Sequence, residues 1–456
     1  VYVKSTVENL EPTRVKVTVE VPYEELKKDM DAAYRDIANQ VDIPGFRRGK
    51  VPPRVIDQRV GRVVVIEQVI NDVLPKFYAD VVAENDLRVM AQPEIEVTEI
   101  PNATGKLGGQ LVFVAEVPVI APFEIPSLEG VELEVDPIVV AVEDVDNELK
   151  ELQNRFASLK TIKREAENGD FATIDMVAKI GDEEVDSVSD VSYEIGSDSM
   201  LPGMDEALTG MKAGEETTFT TTLAGGEHEG EEAEVTVKVS AMKARELPEA
   251  DDDFAQMVSE FDTIEELRED LEKQAKDRKR AEQALQARDR LMDHLVEAVK
   301  LELPESVVEE EAKRSYTEES SDEEKAEAKD KATRRISEQV ILEEIAADRK
   351  PNISQQELFD FMMQTSQMYG IDPNQMFSDQ NQIQAMVAEL SRTKALALTL
   401  GDLKVKDTEG NEVDISEFTR DPSAESDEFT ETEDSEDAED AEVAEEVEES
   451  EESEEK

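Results

Sequence analysis

Pro44-Gly45-Phe46-Arg47-Arg48-Gly49-Lys50-Val51-Pro52-Pro53 runs against the character of the chain around it. The 456 residues carry a formal net charge of −64, yet Gly45 to Arg62 holds six bases (Arg47, Arg48, Lys50, Arg54, Arg59, Arg62) and one acid, Asp57. Gly45 and Gly49 allow backbone angles that a side chain forbids, and Pro44, Pro52 and Pro53 stiffen the flanks. The stretch therefore reads as a protruding loop with Phe46 at its tip among cations. Such a loop suits an anionic partner with some apolar surface, such as a ribonucleoprotein. The competing reading is structural: in so acidic a protein, six cations can simply neutralise carboxylates nearby.

Working outward, Val15-Lys16-Val17-Thr18-Val19-Glu20-Val21 alternates with period two, the pattern of a half-buried strand. Tyr23 to Val41 then places Leu26, Met30, Ala33, Tyr34 and Ile37 on one helical stripe that leads into the basic loop. Beyond it, Val63 to Glu84 repeats apolar residues at spacings of three and four, with Pro75 inside. The segments Glu94 to Thr98 and Gln110 to Val117 read as strands, so residues 1–114 form an α+β unit. Pro118, Pro122, Pro126 and Pro137 mark an extended linker. A helix over 143–160 follows, whose seam of Val145, Leu149, Leu152, Phe156 and Leu159 asks for a helical partner from the C-terminal region.

Composition narrows the options. The length fits about three domains. The absence of cysteine removes disulfide and thiolate chemistry and fits a reducing, cytoplasmic setting. No run reaches the roughly 18 apolar residues a membrane span needs, and the start lacks a secretory pattern, so no membrane partner is expected. The charge confines any nucleic-acid contact to the basic loop. The two histidines, His228 and His294, lie far apart and support neither a metal site nor a serine–histidine triad, so no metal and no cofactor is expected.

Residues 167–247 read as a compact α+β module. Phe171 to Ala178, Glu216 to Leu223 and Ala233 to Val239 alternate as strands around a short helix in Leu201-Pro202-Gly203-Met204-Asp205-Glu206-Ala207-Leu208. His228, in a glycine-rich acidic stretch, reads as a solvated loop residue. From 248 to 418 the chain is helical, with capping boxes at Thr263/Glu266 and Ser354/Glu357. Met362, Met363, Met368, Met376 and Met386, with Phe359, Phe361, Tyr369 and Phe377, offer either a plain core or flexible apolar surface for varied clients. Glu309 to Arg335 is so rich in charged and small residues that one arm is expected to be short and polar. Residues 419–456 form an acidic tail, with 20 acids and one base from Asp421 onward, which is expected to be disordered and to keep the chain solvated.

The loop Pro44 to Pro52 resembles the ribosome-docking signature of the bacterial trigger factor family, and the resemblance covers about residues 3–418. It implies a multidomain α+β protein: an α+β ribosome-binding domain (1–114), a linker with a helix that packs on the C-terminal domain (115–166), an FKBP-like isomerase domain (167–247), an all-α chaperone domain (248–418) and the tail. The implied ribosome-binding residues are Gly45, Phe46, Arg47, Arg48, Gly49 and Lys50. Met200-Leu201-Pro202-Gly203-Met204 with Glu206, Leu208 and Gly210 onward resembles an FKBP-like peptidyl-prolyl isomerase. Carried over by motif, its pocket residues are Met176, Val185, Asp186, Val191, Met200, Leu201, Met204 and Val235. Methionine and valine stand where such enzymes use aromatic rings, so weak isomerase activity is expected. The implied partners are the large ribosomal subunit near the exit tunnel (protein and rRNA), nascent and unfolded polypeptides, and a second copy of the chain in a homodimer when free. Two other functions fit the residues: a free prolyl isomerase whose basic loop is structural, and an acidic, histone-chaperone-like binder of basic proteins acting through its tail.

Overall fold

The computed structural model describes residues 2–101 and 108–424. It divides into two compact units, one of residues 1–136 with 284–456 and one of residues 137–283, and the boundary falls inside a long helix.

The chain opens with strands β1 (Lys4–Glu11) and β2 (Arg14–Pro22), helix α1 (Tyr23–Gln40), the short α2 (Pro53–Ile56), a π-helical turn (Asp57–Gly61) and α3 (Arg62–Glu84). Then come β3 (Arg88–Val89), β4 (Glu94–Glu99), β5 (Gln110–Ile120) and β6 (Glu132–Val135). The antiparallel sheet runs β1-β2-β5-β3, with β4 also on β5. Alternation does the work the sequence promised. Val15, Val17, Val19 and Val21 of β2 and Leu111, Phe113, Ala115 and Val117 of β5 face one core. Leu26, Met30, Ala33 and Ile37 of α1 and Val65, Ile66, Val69 and Val73 of α3 close it.

Part of the expected linker is ordered in the sheet. β5 continues through Pro118, whose carbonyl accepts the Met90 N–H at 2.9 Å, to the buried Ile120. β6 pairs in parallel with a strand near the C-terminus.

The second unit begins with α4 (Val142–Arg155), then β7 (Ser158–Thr161), β8 (Phe171–Ile180), β9 (Glu183–Glu194), α5 (Met204–Leu208), β10 (Glu216–Thr222), β11 (Glu232–Glu246) and α6 (Asp252–Val258); α7 (Ile264–Val299) starts in it. The sheet order is β10-β11-β8-β9, with β7 on β11. Val145 and Leu149 are buried against Phe254, Ala255, Leu267 and Leu271. The helix is shorter than its apolar seam. It stops at Arg155, and Ser158–Thr161 instead pairs with Lys243–Glu246, leaving Phe156 and Leu159 exposed. The backbone bonds of an open sheet edge outweigh two further helical contacts.

The chain closes with α8 (Glu305–Lys313), α9 (Asp322–Arg349), α10 (Gln355–Tyr369), α11 (Pro373–Ser378), α12 (Gln380–Gly401), β12 (Lys404–Asp407) and α13 (Ser416–Thr419). The arm expected to be short and polar is a full hairpin, with α9 running 28 residues. Val308, Ala312, Ala328, Ala332, Ile336 and Val340 pack with Ile120, and alanine lets these helices approach closely with few large side chains. Of the predicted tail, residues 425–456 lie outside the described residues. Asp421 is held, with its carboxylate 2.8 Å from the buried Lys394 ammonium. No helix among the described residues is long and apolar enough to cross a membrane.

Candidate docking loop and isomerase site

The loop grows out of the end of α1. Val41 N–H closes on Ile37 O, and Ile43 and Val51, each 6% exposed, root its two ends in the core. Between them lie two turns. Phe46 N–H donates to Ile43 O (3.1 Å) across Pro44-Gly45, and Lys50 N–H donates to Arg47 O (2.9 Å) across Arg48-Gly49. Both third positions need positive φ, and Gly45 (+93°) and Gly49 (+77°) supply it. Gly49 N–H also donates to Ala38 O (2.8 Å), tying the second turn to α1 so closely that a Cβ there would lie 2.5 Å from Asn39 Oδ1. The loop is a braced double turn.

Its side chains point outward. Phe46 is 41% exposed, and Arg47, Arg48, Lys50, Arg54 and Arg59 are exposed as well. Among the described residues none of these five cations pairs with a carboxylate; only Arg62 does, with Nη1 3.6 Å from Asp57 Oδ2. Neutralisation of local acids therefore does not account for the basic cluster.

In the second candidate site, Met176, Met204 and Val235 are buried in one cluster, with Val185, Val191, Met200 and Leu201 half-buried against it. Seven of the eight expected residues thus come together. Asp186 does not join them: it is exposed, and its carboxylate accepts the N–H of Ser187 (2.9 Å). The strands β8 and β9 slip register at Ile174/Met176 and at Ala178/Lys179, so the ladder is irregular on both sides of Met176. Leu201-Pro202-Gly203-Met204 repeats the Pro-Gly turn of the loop, with Met204 N–H on Leu201 O (3.1 Å), and here the turn buries Met204 completely.

Two aromatic residues belong to this cluster that the sequence reading did not place there, Tyr193 and Phe219. Phe219 is half-buried beside Gly203, and alternation along β10 already turned it inward. Tyr193 is 2% exposed, and its hydroxyl donates to Asp205 Oδ1 at 2.5 Å. Burial, then that bond, pushes the phenol up. Burial alone would raise the Asp205 carboxyl as well, but Tyr193 and the N–H groups of Gly196 and Asp198 outweigh it and hold the carboxyl low. Asp205 thus ties the end of β9 to α5 and sets the frame for Met200 to Met204. His228 lies on the loop joining β10 to β11, its Nδ1 3.3 Å from Glu231 Oε2.

Models of known families match this chain in three places. Bacterial trigger factor protein matches residues 3–152, bacterial trigger factor protein C-terminus matches 263–401, and FKBP-type peptidyl-prolyl cis-trans isomerase matches 162–226. Trigger factor from Beutenbergia cavernae is 49% identical over 434 residues, covering 94% of this chain and 92% of its own length. The chain belongs to the trigger factor family. Trigger factors from an Arthrobacter species (48% identical, 91% of each chain) and from Paenarthrobacter aurescens (47% identical, 93% of this chain and 94% of its own) agree. Among solved structures, one of the trigger factor chaperone is 23% identical, covers 87% of this chain and 99% of its own, and has a TM-score of 0.46. This trigger factor-family chain is a chaperone that carries an FKBP-type peptidyl-prolyl isomerase domain.

Proposed function

We propose that the loop of residues 45–50 docks the chain on the large ribosomal subunit, in the cytoplasm, beside the exit tunnel, where the rest of the molecule receives nascent polypeptides. The observation that carries this is the set of five cations without carboxylate partners among the described residues, around an exposed phenylalanine, in a chain of net charge −64. Unpaired cations release counterions from RNA phosphates, and Phe46 adds an apolar contact for ribosomal protein. The working division is docking by residues 1–114, isomerisation by 167–247 and client holding by 248–418.

Phe359, Met368, Tyr369, Ile371 and Phe377 on and between α10 and α11 are exposed, with the Phe359 and Phe377 rings stacked 6.2 Å apart. Surface of this kind suits varied unfolded segments, and a second copy would cover it in a free homodimer.

For the isomerase, Val185, Val191, Met200, Leu201 and Phe219 are the half-buried residues a prolyl peptide can meet over the buried Met176, Met204 and Val235. The barrier of roughly 18–20 kcal/mol reflects amide resonance, so apolar surroundings that favour the twisted, less polar peptide lower it without nucleophile or metal.

Co-sedimentation with ribosomes tests the docking. Replacing Phe46, Arg47 and Arg48 by alanine abolishes binding on this reading, and unchanged binding overturns it in favour of a free isomerase. Leu201→Ser slows catalysis of proline-limited refolding by the intact chain while leaving ribosome binding alone. An undiminished rate removes Leu201 from the site.

A further inference from the structure

The six cations of the docking element share it with one carboxylate, Asp57, and the fold holds that carboxylate back. Tyr34 of α1 donates its hydroxyl to Asp57 Oδ1 at 2.6 Å, while Arg62 Nη1 stands 3.6 Å from Oδ2. Each oxygen has its own partner, and the Asp57 and Arg62 side chains are 23% and 28% exposed. The second contact follows from the π turn. Its i→i+5 register carries residue 62 toward residue 57, where an α-helix would offer positions three and four away. Arg54 sits three residues before Asp57, and its carbonyl accepts the Asp57 N–H. A carboxylate freed from Tyr34 has Arg54 and Arg59 as its nearest exposed cations in sequence. Burial first, then Asp57, raises the Tyr34 phenol far above its usual range, so it stays a donor across physiological pH.

We infer that Tyr34 is a positioning residue of the docking element: by holding Asp57 in the π turn it leaves Arg54 and Arg59 unpaired for an RNA phosphate backbone. This rests on the ribosome-docking reading above. A cation paired to its own carboxylate makes one phosphate contact fewer, which lowers both the affinity and its dependence on salt.

The test is ribosome binding of the intact chain over a range of potassium chloride concentrations, for wild type, Tyr34→Phe, Asp57→Asn and the double variant. Tyr34→Phe binds roughly three- to tenfold more weakly at low salt, with a log–log salt slope smaller by about one. The double variant returns to within about twofold of wild type, with the wild-type slope, because no carboxylate remains to capture the arginines. If Tyr34→Phe leaves affinity and slope unchanged, the inference falls and the docking reading stands. If Tyr34→Phe weakens binding but Asp57→Asn fails to restore it, Tyr34 merely braces the loop, which also overturns the inference. A wild-type chain that does not bind ribosomes overturns the docking reading and this inference with it.

Discussion

Two stretches of this acidic chain each hold six cations, and they do opposite things. Between Arg268 and Arg280 of α7 lie Arg268, Lys273, Lys276, Arg278, Lys279 and Arg280. Arg268 pairs with Asp146 (2.7 Å), Arg278 with Glu148 (2.6 Å) and Lys279 with Asp144 (3.6 Å), all on α4, while Lys276 and Arg280 pair within α7. Between Arg47 and Arg62 a single cation of six is paired among the described residues. The count of bases is the same; the difference lies in whether the fold brings acids to them. Cations neutralised by a neighbouring helix contribute to packing, and those left without a partner are available to another molecule.

The largest effect belongs to a third case, a cation both paired and buried. Lys394, 8% exposed, lies 2.9 Å from Glu357 and 2.8 Å from Asp421. Lys394→Ala strands two carboxylates and lowers stability by about 3–5 kcal/mol in denaturant unfolding. Burial would raise both carboxyls, but the Ser354 amide and Lys394 at Glu357, and Lys394 and Ser423 at Asp421, hold them below the usual range. With folded values depressed, their contribution is complete above the unfolded values of about 4 and lost as pH falls through the folded ones. The gap in stability between wild type and Lys394→Ala therefore narrows on acidification below about pH 4.

Next, Gly49→Ala costs about 1–2 kcal/mol from its left-handed backbone alone, and displaces Asn39, so it disturbs the double turn and weakens ribosome binding. Gly45, also at positive φ but with open space where a Cβ would go, tolerates alanine better. Comparison of their melting curves and ribosome affinities checks the order. The smallest effect is at the paired helix: Arg268→Ala with Arg278→Ala lowers stability only slightly in denaturant unfolding, since exposed pairs contribute little, and leaves ribosome affinity unchanged. A drop in affinity comparable to that of the loop variants would erase the contrast between the two stretches.

Much of this was legible in residue order because it is local. The Pro-Gly turn and its flanking apolar residues announce the loop without knowledge of the fold. Apolar periodicity announces β2, α1, α3 and α7, and the boxes at Thr263/Glu266 and Ser354/Glu357 form as written. Elements shaped by distant partners were not legible. β1 is exposed apart from the half-buried Val7 and has no alternation to read, β9 is broken by register shifts, and β6 pairs with β12 across most of the chain. The candidate isomerase site lies between these extremes. Its Met200 to Met204 segment is a local motif, whereas Tyr193 and Phe219 reach it from separate strands. The pairing state of the cations, on which the docking proposal depends, belongs wholly to the fold.

The most direct test of that proposal is the salt dependence of ribosome affinity for wild type and for Arg47→Ala/Arg48→Ala. With about 0.7–0.9 counterions released per phosphate contact, five available cations predict a log–log slope of roughly −3 to −5 for the wild type, and a loss of about 1.5–2 in the variant. A wild-type slope near zero, or a slope the two substitutions do not change, contradicts the account.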